Sequence, residues 1–225
     1  GELSISNAVF VMTSAMSING AFSKINNSLR KYSTNSARAT KAYNNLIVPI
    51  KIQDKENAKN LRIKKATVDF DNVSFAYGKN NVFKNFNLHI NNAEKVGIVG
   101  LSGAGKTTLC NLLLRMYDVQ SGAIKIDNID IRDVKKDSLL RNISFVPQET
   151  TLFNRTILEN IRYAKPSATK TEIINAAKKA HIHEFISKLP HGYDTLVGNN
   201  GVRLSGGQRQ RVSIARALLK NAPVL

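Results

Sequence analysis

The chain has little cysteine and few acidic side chains. A single cysteine, Cys110, stands among 225 residues, which excludes an internal disulfide and points to a reducing compartment. On the inner side of a helical run it reads as a small packing residue. Asp and Glu number 16 against 33 Lys and Arg, a formal net charge of +17. Internal repeats and low-complexity tracts are absent, and a hydrophobic content of 42% excludes a disordered chain and allows a packed core in one large domain or two small ones. No basic region precedes the first apolar segment, which Glu2 leads, so a signal peptide is not expected.

The charge surplus invites a nucleic-acid reading, because clustered Lys and Arg release counterions from phosphate backbones. Its distribution argues otherwise. Eleven basic and three acidic side chains fall in the first 65 residues, against twenty-two and thirteen in the rest. The surplus is densest where it trails an apolar segment, so anionic lipid headgroups, or solubility alone, explain it better than nucleic acid.

From Ile5 to Phe22 the chain is apolar enough to form a helix, and 18 residues at about 1.5 Å each nearly cross a hydrocarbon core of roughly 30 Å. Ser6, Asn7, Thr13, Ser14, Ser17 and Asn19 interrupt it, which leaves a soluble amphipathic helix as the alternative. Lys24, Arg30, Lys31, Arg38 and Lys41 follow and would place that end in the cytoplasm. The polar stretch Ser23 to Val48 continues the helix, Pro49 ends it, and a charged linker reaches Lys65. From Ala66 short strand-like runs appear: Val68 to Phe75, Phe86 to Ile90, Val96 to Val99, Ala123 to Ile131 and Ile143 to Val146. Helices are expected over Lys106–Met116, across much of Thr156–Leu189, where Thr169 and Glu172 form a capping box, and from Gly207 to Leu219. The opening at Gly1 and the apolar end at Pro223-Val224-Leu225 read as the limits of a fragment.

Gly100-Leu101-Ser102-Gly103-Ala104-Gly105-Lys106-Thr107 fits G-x-x-x-x-G-K-S/T between an apolar run and a helix, and Thr108 follows. Glycines at those spacings let successive N–H groups point into one concavity and meet phosphate oxygens, with a helix N-terminus behind them. Lys106 would neutralise the β- and γ-phosphates and Thr107 would ligate Mg²⁺. A second anion site is expected at Leu204-Ser205-Gly206-Gly207-Gln208, where a serine hydroxyl and two glycine amides stand before an amphipathic helix.

Together the two motifs resemble the ATP-binding cassette (ABC) family, whose signature motif Leu204–Gln208 matches letter for letter. The resemblance implies an α/β fold of the phosphate-loop type, with a small antiparallel β-subdomain and an α-helical subdomain, preceded by one helix that looks transmembrane. It implies ATP and Mg²⁺ at a head-to-tail dimer interface, each nucleotide between one phosphate loop and the partner's signature. Tyr77 falls where the family places the aromatic that stacks on adenine, and Gln148, in Phe145-Val146-Pro147-Gln148, where it places a glutamine that touches Mg²⁺ and the attacking water. Thr156–Ile161 and Leu189–Thr195 resemble the helical subdomain of exporters. Val197-Gly198-Asn199-Asn200-Gly201 departs from them, lacking the glutamate usual after Val-Gly. His181, His183 and His191 read as surface or packing residues.

The exporter resemblance implies that residues 1–48 end a transmembrane domain, 49–65 form a linker and 66–225 an incomplete nucleotide-binding domain. It also implies a membrane location with that domain on the cytoplasmic side, and a second half-transporter as partner. The family pattern continues past the signature helix with an Asp-Glu pair and a histidine. The chain stops before these at Leu225, so as given it is expected to hydrolyse almost no ATP. Two alternatives stay open: a soluble ABC ATPase acting on nucleic acid or ribosomes, disfavoured because fewer than a hundred residues separate Lys106 from Leu204, and a binding-only fragment.

Overall fold

A computed structural model describes residues 5–46 and 52–225. They belong to two units, Gly1–Lys51 and Ile52–Leu225.

The first unit is one helix, α1 (Ile5–Leu46), of 42 residues. The expected helix is present and runs on through the polar stretch after Phe22, where neither Gly nor Pro interrupts it. Pro49, its expected terminator, lies outside the described residues. The expectation of a membrane crossing at Ile5–Phe22 is not met: among the described residues no helix is long and apolar enough to cross a membrane. Hydroxyls and amides dilute the run. Thr13 donates its hydroxyl back to the carbonyls of Val9 and Phe10, each at 3.0 Å. Val9, Phe10, Met12, Met16 and Phe22 are all more than half exposed.

The second unit has two cores. Strands β1 (Val68–Tyr77), β2 (Asn80–Ile90), β3 (Ser121–Ile126) and β4 (Ile129–Asp130) form an antiparallel sheet in the order β2-β1-β3-β4. Val68, Phe70, Val73 and Phe75 turn one face inward. The step of three between Phe70 and Val73 breaks the two-residue period, and the register shifts there to absorb it, with Asn72 at φ 47°. Helices α2 (Lys106–Leu113) and α3 (Lys136–Arg141) complete this core through Leu109, Leu112 and Leu139. The segment before β1 is fastened to it. Leu61 is buried, and Arg115, 2% exposed, donates to Asp118 and to the carbonyls of Gln53, Ile131 and Val134.

Helices α4 (Ile157–Arg162), α5 (Lys170–Lys179), α6 (His183–Ser187) and α7 (Gly206–Lys220) enclose the second core around Ile157, Ile161, Ile173, Ile186 and Val212. The Thr169–Glu172 capping box forms as expected, and Thr156–Glu159 and Ser205–Gln208 form two more.

Two expected strands do not form. Val96–Val99 pairs with no strand among the described residues, and Val99 is 98% exposed. Of Ile143–Val146 only Ile143 is bridged, in parallel to Val224. An apolar run becomes a strand when neighbouring chain takes up its N–H and C=O groups, and neither run has that on both sides here.

Candidate functional site

The path of Gly100–Thr108 follows from its glycines. Gly103 and Gly105 take φ of 84° and 89°, and the Ala104 N–H closes the turn on the Leu101 carbonyl at 3.1 Å. A Cβ at Gly105 would stand 2.8 Å from Val82 Cγ1 and 3.1 Å from the Phe83 ring, so both the backbone angle and the available space require glycine. Helix α2 starts at this residue without a side-chain cap, whereas α4, α5 and α7 each start in a capping box. The first-turn N–H groups of α2 are left for an outside acceptor, with the positive end of the helix dipole behind them. Lys106 Nζ lies across the loop and donates to the carbonyls of Gly100 and Leu101, both at 2.8 Å. Gly100, Ser102, Gly103, Ala104 and Thr107 are exposed, and Thr108 is buried. The arrangement suits an oxyanion: amide donors, a helix end and one cation converge.

Tyr77 ends β1, opposite Asn80 across a tight turn. Val82 and Phe83, the residues that crowd Gly105, lie just beyond that turn, so the hairpin brings Tyr77 to the same end of the molecule as the phosphate loop. Its ring meets Phe75 at 4.9 Å and 86° and Tyr117 at 5.1 Å and 87°, while Phe75 and Tyr117 are 5.7 Å apart. Sequence reasoning missed Tyr117, which stands in a turn after α2 and belongs to no motif.

At the second motif, Leu204 is buried in the helical core and Ser205 caps α7. Ser205 Oγ accepts the Gln208 N–H at 3.3 Å, and Gln208 Oε1 accepts the Ser205 N–H at 2.8 Å. The serine oxygen is an acceptor in that pair, so its proton stays free to be donated outward, beside the first-turn N–H groups of Gly206 and Gly207. Gln148 lines an open cleft of about 750 Å³ with Asn199, Asn200, Gly206 and Arg209. The structure thus brings Gln148 to the N-terminus of α7. Among the described residues nothing joins Lys106 or Tyr77 to Leu204–Gln208; the loop belongs to the sheet core and the signature to the helical core. Asn200 sits at φ 52°, a left-handed conformation that Asn tolerates better than most residues.

Two further residues whose role sequence reasoning missed hold the segment that follows Gln148 against the helical core. Asn160, fully buried in α4, accepts the Phe153 N–H at 2.9 Å and donates to the carbonyls of Phe153 and Thr156 at 3.0 and 2.9 Å. Arg216 of α7 donates to the Asn160 carbonyl at 2.7 Å, to Asn160 Oδ1 and to the Thr151 carbonyl at 3.1 Å, and lies 5.5 Å from the centre of the Phe153 ring. Burial pulls the Arg216 guanidinium below its ordinary pKa. The only sequence signal was a polar residue on the apolar face of α4. His183, by contrast, is a packing residue as expected, its Nδ1 bonded to the Tyr193 hydroxyl at 2.9 Å.

The family described as ABC transporter matches residues 83–225. The ATP-dependent lipid A-core flippase of Desulfotalea psychrophila is 49% identical over 189 residues, 84% of this chain and 33% of its own length. That of Syntrophus aciditrophicus is 52% identical over 174 residues, 77% of this chain and 29% of its own length. Among solved structures, a bacterial Atm1-family ABC exporter with ATP bound superimposes with a TM-score of 0.81 at 38% identity, covering all of this chain and 40% of that one. The chain spans about a third of the length of the curated relatives it matches.

Proposed function

We propose, from the premise that this chain belongs to the ABC transporter family, that it supplies the nucleotide-binding part of an exporter in which ATP binding and hydrolysis drive a solute across a membrane. The observation that carries this reading is the uncapped start of α2 behind a left-handed Gly105, a cradle of unpaired amides under Lys106. The names of the relatives, flippases and an exporter, support the transport half.

In this reading the N–H groups of Gly103 and of Gly105 to Thr108 bind the terminal phosphates, and Lys106 leaves the Gly100 and Leu101 carbonyls to neutralise them. Tyr77 stacks on the adenine. Thr107 and Gln148 each carry a side-chain oxygen that makes no hydrogen bond among the described residues, the kind of donor a hard cation takes. Mg²⁺ held by them would offset the charge of the terminal phosphates. Ser205, Gly206 and Gly207 meet the nucleotide of a partner cassette, and Gln208 holds Ser205 in place. The partner is a second half-transporter, identical or not.

Residues 1–48 are assigned to the end of the membrane domain and its cytoplasmic extension, 49–65 to the linker and 66–225 to the nucleotide-binding domain on the cytoplasmic side. The direct test is ATPase activity of the full-length protein in lipid, wild type against Lys106→Ala. Loss of turnover is expected, and equal turnover would refute the role of Lys106.

A further inference from the structure

We infer that Tyr117 is a positioning residue for nucleotide binding: it fixes the ring of Tyr77 in the orientation that receives the base. The inference rests on the proposed stacking role of Tyr77 and adds to it a residue that no motif contains.

A lone tyrosine at the end of an edge hairpin is a poor platform. Tyr77 is 37% exposed, and its χ rotations would be free if nothing met the ring. Instead two aromatic rings meet it nearly at right angles, Phe75 from its own strand and Tyr117 from the turn after α2. The two also approach each other, so the three rings close a triangle. Edge-to-face contacts between ring quadrupoles are directional, and two of them from different chain segments leave the Tyr77 ring little freedom to turn.

Phe75 is 4% exposed and belongs to the sheet core. Tyr117, 44% exposed, is not one of the buried residues of that core and meets it at its edge, through Phe75 and Tyr77.

The turn that presents Tyr117 is itself fixed. Arg115 holds φ at 50°, and its buried guanidinium donates to Asp118 at 3.0 Å and to the carbonyls of Ile131, Val134 and Gln53, each at 3.3 Å. Tyr117 therefore lies between two residues of a clamp, Arg115 and Asp118, that ties this turn to the strap of chain preceding β1. The orientation of Tyr77 is thus set in part from outside its own hairpin.

The experiment measures binding of ATP and of inorganic tripolyphosphate to the full-length protein and to Tyr117→Ala, Tyr117→Leu, Tyr117→Phe and Tyr77→Ala. Tripolyphosphate has no base, so it reports the phosphate loop alone. Tyr117→Ala and Tyr117→Leu are expected to weaken ATP about three- to tenfold and leave tripolyphosphate unchanged, while Tyr117→Phe, which keeps the ring, stays within about twofold of wild type. The leucine variant serves if the alanine variant fails to fold.

If Tyr77→Ala weakens ATP but neither Tyr117→Ala nor Tyr117→Leu does, the positioning role is wrong and the stacking reading stands. If Tyr77→Ala itself has no effect on ATP, the stacking reading fails and this inference with it. Equal weakening of ATP and tripolyphosphate in the Tyr117 variants would overturn the inference by making Tyr117 a general structural residue.

Discussion

Gly105→Ala tests the geometry on which the whole site depends. Gly105 holds φ at 89°, where an L side chain costs about 1–2 kcal/mol. The new Cβ would also stand 2.8 Å from Val82 Cγ1 and 3.1 Å from Phe83, and relief by shifting those side chains adds roughly 1–3 kcal/mol. The sum, about 2–5 kcal/mol, is a large part of the stability of an ordinary domain. It should appear first as local opening, so the assay is equilibrium chemical unfolding combined with hydrogen exchange at the amides of Lys106 to Leu109. Val82→Ala separates the two causes. It removes the nearest clashing atom but leaves φ untouched, so the double variant should recover part of the loss, with a coupling of about 0.5–2 kcal/mol. A Gly105→Ala change within about 0.5 kcal/mol of wild type, with no coupling to Val82, would refute the claim that backbone angle and close packing hold this loop.

Asn160→Leu, close in size, should lower stability by about 2–4 kcal/mol in chemical unfolding, because the Phe153 N–H and Arg216 lose a buried acceptor and the Phe153 and Thr156 carbonyls lose a donor. Ser205→Ala should cost about 1 kcal/mol through loss of the α7 cap, with Ser205→Thr closer to wild type, both read from thermal unfolding. Glu172 accepts from Lys165 Nζ and the Thr169 N–H, which lowers its pKa from 4.5 to about 2. A depressed carboxylate stabilises the folded state fully above about 4.5, and that contribution fades as pH falls toward and through about 2. An NMR titration of the Glu172 carboxyl should therefore show a midpoint near 2, and a midpoint above 4 would remove the bond to Lys165 from the account.

Much of the fold was legible because local rules governed it. Thr169 and Glu172 announced a helix start by spacing alone, and the alternation Val68-Phe70 and Val73-Phe75 marked a strand with one buried face. Where the rules are not local, reading failed. The run Val96–Val99 has the composition of a buried strand, but its state depends on what lies beside it. The apolar start of α1 has the length of a membrane crossing without the hydropathy, because polar side chains that can bond to their own helix are spread through it.

The candidate site divides the same way. The sequence by itself determined the turn at Gly100–Thr108 and the capped helix start at Ser205, since glycine spacing, a lysine at a helix start and a serine cap act through backbone geometry within a few residues of one another. Only the tertiary structure decided which residues support them. Val82 and Phe83 close on Gly105 from the preceding hairpin. Arg216 reaches Asn160 across 56 positions, and Tyr117 meets Tyr77 from another segment altogether. Such contacts depend on where the chain returns in space, and no spacing along the sequence encodes that.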